Sequence, residues 1–248
     1  MLIAVMAENM PDKEMACGLA DRVLLERTPD WLDEEQLGFE RKWQGIEPGT
    51  DFTPWTSLSR LAKKENVRIL GHKREEVGGF DYPSARKAIV LCLLAKHAEP
   101  IRAILFIRDM DRQYQARRQS LIEARAHTDP TRLRVVLALP NRMREAWLLN
   151  GFIPKTPNEV HLHQIEREKL GFDPCEFAEL LTGRRASDYK GPKLVLASLT
   201  GGCAKRQEAC WKDVPLVELA DRGTQTGLKE FLQEVESILV PLLTQIEN

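Results

Sequence analysis

The stretch Ala103-Ile104-Leu105-Phe106-Ile107-Arg108-Asp109-Met110-Asp111 decides the fold. An unbroken apolar run of strand length, stopped abruptly by charge, predicts a strand buried on both faces. Strands of that kind belong to parallel sheets covered by helices. Upstream, Pro83 opens a helical pattern through about His97, with Ala88, Leu91, Cys92 and Ala95 along one stripe. Downstream, a charged helical pattern runs to about Ala126 and a further apolar strand follows at Leu133–Leu139. The chain opens on another apolar run, Leu2–Ala7, ended by Glu8. A helix from about Asp12 to Arg27 follows it, with Met15, Leu19, Val23 and Leu24 on one face and Pro11 suited to its first turn. Val67–Leu70, after a polar helix near Ser57–Glu65, is the remaining strand candidate, although Arg68 interrupts it. Strand and helix thus alternate over the first 140 residues. The expected fold class is α/β, a mostly parallel sheet of about four strands flanked by helices, with right-handed crossovers.

Beyond Pro140 the strand pattern ends. Arg142–Asn150, Pro157–Leu170, Pro174–Leu181, Pro192–Leu199 and Gly227–Ile246 read as helices separated by proline and glycine. The expected division is an α/β core over 1–150, with a loop or insertion near 38–55, and a helical region over 151–248. The apolar face of Gly227–Ile246 suits packing on the core or on a second copy in a homo-oligomer.

Composition narrows the class. The 248 residues are 43% hydrophobic and 29% charged, with 36 Lys+Arg against 37 Asp+Glu and a net charge of −1. That excludes a disordered chain and a uniformly basic nucleic-acid wrapper, but leaves room for a local basic groove. No segment approaches the roughly 18 apolar residues of a membrane span, so no membrane partner is expected. The opening MLIAVMAENM lacks a basic n-region and reads as a strand rather than a signal peptide. Five cysteines, an odd count without a Cys-x-x-Cys pair, suit free thiols in a reducing, cytoplasmic setting.

In an open parallel sheet, ligands bind beyond the carboxyl ends of the strands. The first strand ends at Glu8, with Asp12 close behind, and the Ala103–Ile107 strand ends at Asp109 and Asp111. After the Leu133–Leu139 strand comes Glu145, in Arg144-Glu145-Ala146-Trp147-Leu148-Leu149. Carboxylates gathered on one edge repel unless a cation neutralises them, and Mg²⁺ or Mn²⁺ is the usual cation for hard oxygen donors. Asp109 and Asp111 would share a side if the strand continued through both. Singly, Asp12 and Asp111 also read as helix caps and Glu145 as a first-turn acid; their joint placement carries the metal reading.

Glu8 with Asp12, and Asp109 with Asp111, resemble the acidic motifs of the TOPRIM domain of topoisomerases, primases and OLD-type nucleases. There a glutamate ends the first strand and an Asp-x-Asp pair ends the third. Glu145-Ala146-Trp147-Leu148-Leu149 is also similar to a motif of small bacterial TOPRIM nuclease-like proteins. The resemblance covers about residues 1–150, and Asn9 departs from it by standing where the family has glycine. It implies metal ligation by Glu8, Asp109, Asp111 and Glu145, and a downstream lysine, loosely Lys193 or Lys190, that stabilises charge on phosphate. It also implies an effector role in a bacterial antiviral defence system beside a partner ATPase, since this chain carries no P-loop of its own.

Among the basic residues near the acidic pair, Arg112 and Arg108 are candidates for binding a phosphodiester, as is Lys190 further on. Arg117, Arg118 and Arg125 read as a solvated helix face. His161 and His163, two apart on a helix, point to nearly opposite sides and read as surface residues. Cys203 and Cys210 lack the partners of a zinc site.

The leading expectation is a Mg²⁺- or Mn²⁺-dependent nuclease acting on DNA ahead of RNA, with catalytic Glu8, Asp109, Asp111 and Lys193. The alternative is a non-catalytic nucleic-acid-binding or regulatory subunit that keeps the TOPRIM fold within a larger complex. Last comes an Asp-x-Asp phosphohydrolase with Asp109 as nucleophile, because that chemistry ordinarily uses an early strand.

Overall fold

The structure, a computed structural model, describes residues 1–28, 32–69, 81–110, 113–183 and 188–244. The chain divides into two compact units, Met1–Leu139 with Gln233–Asn248, and Pro140–Leu232. The segment 140–150, read from the sequence with the α/β core, clusters with the helical unit, whereas 233–248 clusters with the sheet.

The first unit is α/β. Its strands are β1 (Leu2–Ala7), β2 (Lys42–Gln44), β3 (Thr53–Pro54), β4 (Ile101–Ile107) and β5 (Arg134–Ala138), in the order β2-β1-β4-β5 with β3 also on β1. Every pairing is parallel. β2 and β3 take successive stretches of β1's free edge, Leu2–Ala4 and Met6–Ala7. All six residues of β1 are buried, and in β4 only Arg102 is exposed. Burial on both faces is what a sheet covered by helices on either side requires.

Helices α1 (Met10–Arg27), α2 (Glu34–Glu40), α3 (Leu58–Lys64), α4 (Tyr82–Leu94) and α5 (Tyr114–Ala126) complete this unit with the C-terminal segment. Leu2, Ala4, Met6, Ile104, Phe106, Val135 and Leu137 on one face share a core with Leu58, Leu61, Ala85, Ile89, Leu121 and Ala124 of α3, α4 and α5. α1 and the π-helical turn Val235–Leu239 pack together, and both touch the sheet. β5 is an edge strand, and its exposed ladder is partly satisfied. The Glu234 carboxylate accepts the Leu137 N–H at 2.8 Å and an Arg125 N–H at 2.7 Å.

Two strand expectations need correcting. Within the candidate Val67–Leu70, residues 67–69 are not strand, and Leu70 lies outside the described residues. The supposed loop 38–55 instead supplies β2 and β3. Both are too short and too polar to show an apolar run, and it is the free edge of β1 that makes them strands.

The second unit is helical: α6 (Arg144–Asn150), α7 (Pro157–Leu170), α8 (Pro192–Thr200), α9 (Ala204–Lys212), α10 (Leu216–Arg222) and most of α11 (Leu228–Glu234). The last helix among the described residues, α12 (Val240–Thr244), belongs to the sheet unit. Trp147 of α6 stacks on Phe231 with ring centroids 5.3 Å apart, and its Nε1–H donates to Thr226 O at 2.8 Å. A Cβ on Gly151 would lie 1.9 Å from the Cys210 carbonyl oxygen, so only glycine permits this approach of α6 to α9. Pro174–Leu181, expected as a helix, forms only the 3-10 turn Ala178–Leu180. The Asp173 side chain accepts the Cys175 N–H at 2.9 Å, an Asx-turn that competes with a helical start there.

Candidate functional site

β1 and β4 are neighbours with Met6 opposite Phe106, so both leave the sheet at one edge. Glu8 follows Met6 by two positions and Asp109 follows Phe106 by three. β3 ends at the same edge, because Ala7 pairs with Pro54, and delivers Trp55.

Arg108 is the centre of what this edge assembles. Its backbone N–H donates to Ala138 O at 3.1 Å, which ties it to β5. Its Nη1 donates to Glu8 Oε1 at 2.7 Å, and Nη2 lies 3.6 Å from Asp81 Oδ1. The guanidinium sits over the Trp55 ring, 5.2 Å from its centroid, while Trp55 Nε1–H donates to Ile107 O at 2.8 Å. From α5, Arg117 Nη1 donates to Asp109 O at 2.8 Å, and its Nε lies 3.7 Å from Asp81 Oδ2. Asp81 is buried, whereas the Glu8 side chain is 38% exposed.

Glu8 and Arg108 therefore meet at one edge of the sheet, and Asp109 follows on directly in the chain. Asp81, Arg117 and Trp55 join them, although no motif in the sequence marks them. Asp81 directly precedes Tyr82-Pro83 and so resembles a helix cap, yet it makes no side-chain cap bond and turns to the arginines instead. Arg117 is not a solvated residue, since its side chain is only 17% exposed. Arg125 is likewise occupied, with Glu234.

The shared-side expectation for Asp109 and Asp111 fails in its premise. β4 stops at Ile107, and Met110, directly after Asp109, is fully buried. Asp111 and Arg112 themselves lie outside the described residues. Asn9 adopts extended backbone, φ −153°, so nothing there calls for glycine's left-handed conformation; its side chain accepts the Asp12 N–H at 3.0 Å and caps α1. Asp12 is buried in that first turn.

The remaining candidates belong to the helical unit. Glu145 is buried in the first turn of α6, 3.5 Å from Arg144 Nη2. Lys193 is exposed on α8, and the Lys190 ammonium lies over the Tyr189 ring at 5.7 Å. Arg206 is committed to Glu159, with Nε–Oε1 at 2.7 Å. His161 is exposed, but His163 is not a surface residue: its side chain is 16% exposed and its Nε2 lies 3.0 Å from Asp173 Oδ1.

The Glu8 and Asp81 carboxylates at this edge each face a guanidinium of Arg108 or Arg117, and among the described residues no group of three His, Cys, Asp or Glu ligand atoms gathers there; the one such group is His163, Asp173 and Cys175 in the helical unit. No protein-family model, no curated protein and no solved structure matches this chain. No helix is long and apolar enough to cross a membrane among the described residues.

Proposed function

We propose that this chain is a metal-dependent phosphodiesterase, a TOPRIM-type nuclease acting on DNA ahead of RNA, and the effector of a bacterial defence system beside a partner ATPase. The observation that carries the reading is the parallel pair β1–β4, which delivers Glu8 and Asp109 to one edge with Arg108 bonded to Glu8. Glu8 and Asp109 would hold Mg²⁺ or Mn²⁺, which when bound supplies a hydroxide nucleophile and offsets charge on the phosphate. The solvent-facing Glu8 carboxylate takes a proton from the attacking water. Arg108 stacks on Trp55, and its side chain is 20% exposed, so the outer part of the guanidinium is the group that would meet a phosphate oxygen. Lys193, Lys190 and Glu145 belong to the other unit, and the reading rests on Glu8, Asp109 and Arg108.

The test is cleavage of supercoiled plasmid, single-stranded DNA and RNA with Mg²⁺, Mn²⁺ or EDTA, comparing wild type with Glu8→Gln and Asp109→Ala. Cation-dependent cutting by wild type that both variants lose is the expected result. Cutting that survives both substitutions rejects the site.

One observation favours the second reading, a non-catalytic subunit that keeps the fold. Arg108 already neutralises Glu8, so the carboxylate has a partner without any cation. On that reading the folded protein binds DNA and cuts none of the substrates with either metal.

A further inference from the structure

We propose that His163, Asp173 and Cys175 form a Zn²⁺ site within the helical unit, a cation site of different chemistry from the carboxylate edge. Thr156 caps the start of α7, its hydroxyl accepting the Glu159 N–H at 3.2 Å, and Gly171 ends the helix in left-handed conformation at φ +80°. The reversal returns the chain over the helix face that carries His163. One ligand atom from each of His163, Asp173 and Cys175 then lies within 4.8 Å of the others. Tetrahedral coordination with metal–donor distances of about 2.0–2.3 Å needs only modest closure of that triangle.

The surroundings hold the donors in place and shield them. The His163 and Asp173 side chains are each 16% exposed and Cys175 is 2% exposed. Asn150 Nδ2 donates to Cys175 O at 3.0 Å, and Asn150 Oδ1 accepts from Thr226 Oγ1 at 2.6 Å, so the backbone bearing the thiol is anchored. Supporting bonds of this kind orient metal ligands. Arg167 Nε lies 3.4 Å from Asp173 Oδ2, but its side chain is half exposed and is free to swing into solvent when a cation takes the carboxylate. A thiolate and an imidazole select Zn²⁺ over Mg²⁺ or Mn²⁺. Binding releases the Cys175 thiol proton to solvent, and three protein donors leave a fourth position for water.

The experiment uses the full chain, stripped with chelator and titrated with Co²⁺ as a spectroscopic stand-in for Zn²⁺. Wild type is expected to show a thiolate-to-cobalt charge-transfer band that one equivalent of Zn²⁺ abolishes. Cys175→Ser and His163→Gln should lose the band. Cys210→Ser should keep it, because Arg206 Nη1 lies against that sulfur at 3.7 Å, and so should Cys203→Ser and Glu8→Gln. His163 is less buried than Cys175, so His163→Gln decides the matter if Cys175→Ser misfolds by circular dichroism. Absence of the band in folded wild type, or its survival in a folded variant of either residue, overturns the proposal. His163 and Asp173 would then be only a hydrogen-bonded pair closing the turn.

Discussion

The sheet edge and the turn after α7 gather their polar side chains in opposite ways. Glu8 and Arg108 meet across a sequence separation of 100, because the register of two parallel strands puts their ends side by side. His163, Asp173 and Cys175 come from one helix and the turn that follows, and meet because Gly171 reverses the chain. Strand register collects oxygen donors and guanidiniums from distant segments, whereas a local reversal collects an imidazole, a carboxylate and a thiol from a short one. On the two proposals, the first set would take a hard cation and the second a borderline one.

The strongest way to break this comparison is to exchange the perturbations. Glu8→Gln or Asp109→Ala should abolish Mg²⁺- or Mn²⁺-dependent cleavage and leave the cobalt band intact. Cys175→Ser should do the reverse. If one substitution removed both signals while the chain stayed folded, the two chemistries would not be separate.

Next in size is the support beneath the edge. Phe106 is fully buried in β4, with its ring 5.4 Å from that of Trp55, so Phe106→Ala removes packing under both Arg108 and Trp55. It should cost about 3–5 kcal/mol in chemical denaturation. A loss under about 1 kcal/mol would mean that this part of the core collapses readily around the void.

The units also hold carboxylates that respond to pH in opposite directions. Asp21 of α1 bonds Arg41 at 2.7 Å and Trp43 Nε1–H at 2.9 Å, yet burial outweighs both and pushes its pKa from 3.8 up to about 6. Glu159 of α7 is held below its ordinary value of 4.5, first by the Arg206 hydrogen bonds and despite its own burial. For Asp21 the folded state binds the extra proton, so stability falls as pH rises from about 4 through 6, by at most about 3 kcal/mol. For Glu159 the unfolded state binds the extra proton, so its contribution is present above 4.5 and is lost as pH falls through the lower folded value. Denaturant titrations between pH 3 and 7 should therefore show wild type losing ground to Asp21→Asn as pH rises, and losing ground to Glu159→Gln as pH falls. Parallel profiles for the two pairs would contradict the assignments.

Asn150 tests how firmly the turn is held. It is fully buried, and Asn150→Ala strands the Cys175 carbonyl, while the Thr226 hydroxyl keeps the Gly223 carbonyl at 3.2 Å, so the expected cost is about 1–3 kcal/mol. If the bond orients the thiol, Co²⁺ affinity should fall about 10-fold or more even though no ligand is touched. Unchanged affinity would show that the local turn alone sets the donors.

How much of this is legible in the sequence follows the same division. Leu2–Ala7, Ala103–Ile107 and Leu133–Leu139 announce strands because burial on both faces leaves nearly unbroken apolar runs, and Glu8, Arg108 and Asp109 follow as strand-end residues. Lys42–Gln44 and Thr53–Pro54 carry no such pattern, since they are strands only by pairing with β1. The contacts of Asp81 with Arg108 and Arg117 depend on how α4, β4 and α5 pack, which no local spacing encodes. α9 escapes a reading by apolar period because Cys210 is its only buried residue, and α10 because it buries only Leu216 and Leu219. His163 misleads because period alone places it on a helix face, while the Asp173 turn that covers that face reads in sequence as the start of another helix.

The smallest effect concerns the two helix caps. Asn9 begins α1 beside Glu8 and Thr156 begins α7, each accepting a backbone N–H from the residue three further on. Either cap replaced by alanine should cost about 1 kcal/mol, and Asn9→Gly only a few tenths, because glycine leaves that amide open to water. Since φ at Asn9 is −153°, glycine gains nothing there from left-handed freedom. Its one possible advantage is closer approach of a phosphate to the backbone beside Glu8, so Asn9→Gly should retain metal-dependent cleavage at wild-type level or above while barely moving the denaturation midpoint. Loss of cleavage in a variant that stays folded would instead make the Asn9 side chain part of the sheet-edge site, a role that Thr156 has no reason to share.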